Sequence, residues 1–223
     1  MPNLISLRQG LARLLPALAL PIMLSACVSN PSTGPTAAII KVNPTVAAQY
    51  AALPGEPYEV PAVDVEELDP GVLRQSVEFR TSEPVGTIVI DTQARYLYLV
   101  QEGGKAMRYG VGVGKEGLAF KGSATIGRKA EWPHWTPTPA MIRREPQRYG
   151  PWSQGMNGGI GNPLGARAMY LYRDGSDTLF RIHGTNEPWT IGQAVSSGCI
   201  RMINQDVIDL FGRVPGGSRV VVL

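Results

Sequence analysis

Val85-Gly86-Thr87-Ile88-Val89-Ile90-Asp91-Thr92-Gln93-Ala94-Arg95-Tyr96-Leu97-Tyr98-Leu99-Val100-Gln101 reads as two strands and the turn between them. β-Branched and aromatic side chains dominate residues 85–91 and 95–101, and a few residues around Thr92 and Gln93 join them as a hairpin. Working outward, the same pattern predicts strands at residues 106–113, 122–128, 168–173, 178–183 and 219–223. Asp174-Gly175-Ser176 supplies the turn chemistry of a further hairpin. One helix is expected after Ile203: Asn204 can cap it, Asp206 suits its first turn, and Val207, Ile208, Leu210 and Phe211 form an apolar stripe that stops before Pro215-Gly216-Gly217. The expected fold is mainly β, a mixed or sandwich-like sheet with one or two short helices.

Two stretches depart from this pattern. Residues 131–165 carry Trp132, Trp135 and Trp152, six prolines and repeated glycines without strand alternation. A long irregular stretch inside a compact domain is usually functional or disordered; its aromatic content argues for order, so a lid or groove wall is expected. Residues 28–80 hold seven prolines, no sustained apolar period, and three basic against seven acidic side chains. They read as a disordered acidic tether. Residues 81–223 carry 16 basic and 11 acidic side chains, which puts the expected domain boundary near Arg80.

At 223 residues, 43% hydrophobic and 17% charged, the chain has the composition of an ordinary globular protein rather than a collagenous or multi-span membrane one. Arg8 and Arg13 flank the start of a short apolar run at residues 14–24, interrupted by Pro16 and Pro21. Such a run reads as an export signal rather than a span. Leu24-Ser25-Ala26-Cys27 resembles the bacterial lipobox. The resemblance implies cleavage before Cys27 and lipid on its sulfur, so residues 1–26 are expected as signal peptide, 27–80 as lipidated tether and 81–223 as catalytic domain. Val28 gives no inner-membrane aspartate signal, so the expected location is the periplasm, anchored to the outer membrane. An ordinary secretory signal containing a cysteine is the alternative.

The chain has two cysteines, Cys27 and Cys199. Lipidation of the first leaves the second with no disulfide partner, and a lone thiol in an exported protein is most often retained for catalysis; an inert buried cysteine would suit a cytosolic protein. Cys199 follows His183 by sixteen positions, in Ile182-His183-Gly184-Thr185-Asn186-Glu187-Pro188-Trp189 and Ser196-Ser197-Gly198-Cys199-Ile200-Arg201-Met202. A nearby imidazole can take the proton of a thiol and leave a thiolate nucleophile. Gly198 clears side-chain bulk beside that nucleophile, and the backbone N–H groups of Ser197 and Cys199 are natural donors to an oxyanion.

His183-Gly184 followed by Ser196-Ser197-Gly198-Cys199-Ile200-Arg201 resembles the signature of the L,D-transpeptidases, or YkuD domain. The resemblance extends over about residues 84–223. It implies Cys199 as acyl-accepting nucleophile, His183 as its base, and the Gly184 carbonyl as orienter of the imidazole. Arg201 is implied to shape the site and hold substrate charge, with a structural salt bridge as the alternative; Ser196 reads as a turn and hydrogen-bonding residue. Many members carry a second histidine where this chain has Ser197. The implied substrates are peptidoglycan stem peptides: Cys199 attacks the bond between the L-centre of meso-diaminopimelate and D-Ala, D-Ala leaves, and an amine of a neighbouring stem, a D-amino acid or an envelope protein resolves the thioester. Carbapenem-type β-lactams are expected to acylate the same thiol.

Trp132, His134, Trp135, Met169 and Tyr170 are further candidates for the substrate groove, against loop exposure for His134 and core burial for Met169 and Tyr170. Arg143, Arg144 and Arg148 could meet stem carboxylates or form a solvated face. No metal or cofactor is expected, because one thiol and His134 and His183 offer no zinc-ligand spacing. Papain-like and caspase-like signatures do not surround Cys199. A carboxypeptidase on the same scaffold and a non-catalytic peptidoglycan-binding lipoprotein remain open. A monomer is expected, and nothing suggests nucleic-acid binding.

Overall fold

The computed structural model describes residues 43–114, 120–196 and 198–223. The leader and Cys27 lie outside the described residues, and so does Ser197. Within the described residues no helix is long and apolar enough to cross a membrane.

The chain first forms a one-turn helix, α1 (Pro44–Ala48), and two 3₁₀ turns, before strand β1 (Gln75–Glu78). Then follow β2 (Ile88–Asp91), β3 (Tyr96–Gln101), β4 (Lys105–Gly110), the short β5 (Val113–Gly114) and the long β6 (Gly122–Glu131). Two short helices, α2 (Pro139–Arg144) and α3 (Pro146–Tyr149), interrupt the strands before β7 (Arg167–Arg173) and β8 (Ser176–His183). The chain closes with β9 (Ala194–Ser196), β10 (Ile200–Arg201), α4 (Asn204–Arg213) and β11 (Arg219–Val222).

Nine strands form one sheet in the order β1-β4-β3-β2-β11-β6-β7-β8-β10, and β5 pairs with β9 beside it. The opening hairpin pairs Ile88 with Leu99 and Asp91 with Tyr96. Its turn is closed by the Asp91 carboxylate, which accepts from the N–H groups of Gln93 and Ala94. The Asp174-Gly175 turn has φ of 50° and 76°, the left-handed pair that a two-residue hairpin requires. β11 runs parallel to β2 and antiparallel to β6, placing Val220 and Val222 in the core. Val207 and Leu210 of α4 cover the same core beside Met169, Leu171 and Ile182. The architecture is thus the mainly β mixed sheet with few short helices that the pattern predicts.

Residues 43–80 are not a tether. Tyr50, Val65, Val72 and Leu73 are buried in a second small core with Ile191 and Ile203. The prolines do not prevent this, because the segment folds by local side-chain caps rather than by a periodic ladder: Asn43, Asp64 and Asp69 each accept from the backbone N–H two residues on. Each buried aliphatic or aromatic side chain contributes roughly 1.5 to 3 kcal/mol, enough to hold an irregular segment down. Polar anchors add direction. Gln205 donates to the carbonyls of Tyr50, Ala51 and Pro61, and the Tyr50 hydroxyl accepts from Arg74 N–H at 2.6 Å and donates to Asp206 at 3.2 Å.

Asn204 does not cap α4. The cap position is Ile203, and the Asn204 amide instead accepts from Ala166 N–H and donates to the Thr185 carbonyl, tying the helix start to the loop after β8. Asp206 does sit in the first turn, but fully buried under Tyr50. Burial raises its carboxyl to about 7, opposed by Arg74 and the Tyr50 hydroxyl and reinforced by Asp209. A carboxyl that keeps its proton more firmly when folded stabilises the fold below its unfolded value, and that stability is lost as pH rises through about 7. Thermal melts are therefore expected to lose a component between about pH 4 and 7 that Asp206→Asn removes; equal pH slopes for the two proteins would refute this.

Candidate active site

β8 ends on His183, and β10 runs parallel to it with Ile200 opposite Ile182 and Arg201 opposite His183. That register carries Cys199, immediately before β10, alongside Arg181 and into the cavity that His183 lines. Gly198 before it is buried, with φ of 127°, a conformation that favours glycine. β8 itself is irregular here. Residues 178–180 bulge out of the pairing with β7, and Leu179 takes φ of 65° with its side chain in solvent. The bulge aims the Leu179 carbonyl at the thiol, with Sγ at 4.0 Å. Bulges that re-aim groups this way recur beside active sites.

His183 is buried, and its Nδ1 lies 2.6 Å from the carbonyl of Gly184. A carbonyl only accepts, so the proton sits on Nδ1 and Nε2 is left as the basic nitrogen. A Cβ on Gly184 would meet the Asn204 side chain, so the glycine also lets the loop close over α4. Burial lowers the imidazole to about 4, helped by Arg201 and Arg181 and opposed by the Gly184 carbonyl. Burial also raises the Cys199 thiol, against the Arg181 backbone N–H and the Arg181 and Arg201 guanidinium groups. Both shifts favour the uncharged form of each group.

The cavity holds about 280 Å³. One wall is the stretch between β6 and β7, which contributes Trp135, Met141, Arg148, Tyr149, Trp152 and Met156; His183, Cys199 and Arg201 face it with Asn186 and Glu187. This stretch is ordered, in α2, α3 and a 3₁₀ turn, rather than irregular throughout. Asn162, fully buried, braces it from within by donating to the carbonyls of Pro133, Met156 and Asn157.

The groove candidates separate. Trp135 lines the cavity, whereas Trp132 lies outside it, its indole bonded to Glu56. His134 is on the outer side, against Asn157. Met169 is fully buried in the main core and Tyr170 is clasped between the guanidinium groups of Arg128 and Arg181, so neither lines the cavity. The core burial weighed against a groove role for Met169 is what the structure shows, while Tyr170 packs between the two arginines. Arg201 pairs with Glu187 at 3.0 Å while still lining the cavity, so it takes the salt bridge and keeps an edge toward the site. Of the basic run, Arg148 reaches the cavity. Ser196 ends β9. Tyr149, Met141 and Met156 were not singled out from sequence, since an aperiodic segment gives no signal of which side chains face inward. Among the described residues no group of three or more His, Cys, Asp or Glu side chains is placed to hold a metal ion.

A cysteine and a backbone-oriented histidine thus line one cavity. The chain belongs to the YkuD family: the L,D-transpeptidase catalytic domain matches residues 86–222. It is 35% identical over 140 residues to the Escherichia coli K12 protein named "Probable L,D-transpeptidase ErfK/SrfK", a match covering 62% of this chain and 44% of that one. It is also 38% identical over 138 residues to a Fuscovulum blasticum protein from the ATP synthase subunits region, covering 61% and 68%. The match thus spans less than half the length of the E. coli relative. Among solved structures, a Brucella melitensis protein described as a probable carnitine operon oxidoreductase is 55% identical, with 72% of this chain and 99% of that one covered and a TM-score of 0.48.

Proposed function

We propose that the protein is a peptidoglycan L,D-transpeptidase in which Cys199 is the nucleophile and His183 its base. The observation that carries the reading is the Nδ1 contact to the Gly184 carbonyl, which leaves Nε2 as acceptor in the cavity that the thiol also lines. The donor is a stem tetrapeptide. Cys199 Sγ adds to the carbonyl at the L-centre of the third residue while His183 takes the thiol proton. The C–N bond to D-Ala then breaks, and His183 returns the proton to the departing amine. A thioester remains. An acceptor amine attacks it, giving up a proton to His183, and the thiolate leaves and is reprotonated, forming the new amide.

In this route charge appears as the thiol proton moves to His183 and the carbonyl oxygen becomes an oxyanion. The backbone donors at Ser197 and Cys199 are assigned to that oxygen. Trp135, Tyr149 and Trp152 limit water at the thioester and so favour amine over hydrolysis. The Cys27 lipobox and residues 1–26 support a periplasmic lipoprotein held at the outer membrane, facing its polymer.

The test is intact-mass and product analysis of the full chain with purified tetrapeptide muropeptides. Crosslinked or exchanged product with release of D-Ala, preceded by an acyl adduct on the protein, supports the reading. Release of D-Ala into tripeptide alone makes the protein a carboxypeptidase, and an unchanged substrate with no adduct refutes both.

A further inference from the structure

The region matched by the family begins at residue 86, yet the cavity wall between β6 and β7 is held by a side chain from well before it. Glu56 makes a two-pronged ion pair with Arg167, Oε1 to Nη2 at 2.7 Å and Oε2 to Nη1 at 2.9 Å. The same Oε2 accepts from the Trp132 indole at 3.0 Å. Trp132 is the first residue after β6, and Arg167 the first of β7. One carboxylate therefore grips both ends of the stretch that carries Trp135, Tyr149 and Trp152 into the cavity.

Other contacts converge on this point. Trp132 N–H donates to the Ala166 carbonyl at 2.8 Å, closing the neck of the stretch directly beneath the carboxylate. Tyr58 lies edge-on to the Trp132 ring with centroids 5.0 Å apart. Trp132 takes φ of 40°, left-handed backbone that a bulky residue keeps only where its surroundings hold it. Arg167 is nearly buried and Glu56 largely so, which shields the pair from solvent and gives it weight that a surface pair lacks. Glu131 stands 3.8 Å from the same guanidinium but is itself exposed, a poor substitute for the two-pronged partner.

We infer that Glu56 is a positioning residue: with Tyr58 it clamps the base of the cavity wall and so sets the width of the cleft presented to the substrate. It touches neither the thiol nor the imidazole, so it acts through Trp132 and Arg167. The inference rests on the proposed reaction for its kinetic consequence but not for its structural one. Releasing the clamp frees the wall while leaving His183 and Cys199 in place, so substrate binding suffers and the chemical step does not.

The experiment compares the full wild-type chain with Glu56→Ala and Glu56→Gln. Trypsin cuts at Arg143, Arg144 and Arg148 report wall opening, followed by mass spectrometry; iodoacetamide alkylation of Cys199 reports the thiol, and KM and kcat are measured with a tetrapeptide muropeptide. Glu56→Ala is expected to speed those three cuts and raise KM by about tenfold each, the loss of hydrogen bonds to a charged group, with kcat and alkylation near wild type. Glu56→Gln keeps the indole bond and loses the charge, and falls between. Wall cuts no faster than in wild type overturn the inference. So does acceleration at every tryptic site together with a lower melting temperature in both variants, which marks general destabilisation; if Glu56→Ala does not fold, Glu56→Gln decides alone. A wild-type chain without transferase activity refutes the proposed reaction, while the cleavage rates still decide the clamp.

Discussion

Cys199→Ala is expected to abolish acyl transfer, with a loss on the order of 10⁴-fold or more, while the protein stays folded. The thiol lies half-buried at the edge of a cavity, not within the main core, so its removal leaves no large void. What disappears is the only atom the proposed route can acylate, and oxyanion donors and binding alone cannot replace it. Cys199→Ser is expected to be nearly as inactive. A hydroxyl is a far weaker acid than a thiol, and an imidazole lowered to about 4 is a weak base with which to activate it. The check is a muropeptide turnover assay with intact-mass detection of the acyl adduct: turnover by Cys199→Ala within tenfold of wild type would assign the chemistry to another group.

The second large effect belongs to His183. His183→Gln is expected to lower kcat/KM by about 10² to 10⁴, the usual contribution of a positioned general base. Glutamine can donate toward the Gly184 carbonyl, but it offers no basic nitrogen to the thiol. The wild-type pH profile should carry the same signature. Only neutral imidazole can accept the thiol proton, so the fraction of competent enzyme falls as pH drops through the His183 value. Burial and Arg201 put that value at about 4, so the acid limb of kcat/KM is expected there rather than near 6.5. A limb at 6.5 would mean that the imidazole is solvated in the working enzyme. Weakening the Arg201 charge by Arg201→Gln should move the limb upward and also release Glu187, whose partner it is.

Much of the fold was legible because its signals are local. The β-branched and aromatic runs at residues 85–91 and 95–101, the Asp174-Gly175 turn and the apolar stripe of α4 each depend on neighbours a few positions away. The family and the convergence of His183 and Cys199 on one cavity were legible because the motif is contiguous at each half. Residues 43–80 were not, since Tyr50, Val65 and Val72 follow no period and share a core with Ile191 and Ile203, and Tyr50 bonds Gln205 and Asp206, all more than a hundred positions later. Asn204 was misread for a related reason. A side chain that could cap its own helix instead bonds two loops, and sequence offers no way to rank a distant partner above a near one. For Met169 and Tyr170 the sequence left groove and core both open, because neither shows which face of β7 meets the core and which meets Arg128 and Arg181.

The place of β11 has a consequence for how the protein is made. In the nine-stranded sheet, β1 to β4 lie on one side of residues 219–222, and β6, β7, β8 and β10 on the other. Until those residues emerge from the ribosome, Ile88 and Ala124 have no strand between them, and the nascent chain carries two unpaired sheet edges. Productive assembly therefore waits until residues 219–222 have been made. Such a late, long-range closure favours slow folding and leaves the incomplete sheet exposed to pairing with other chains.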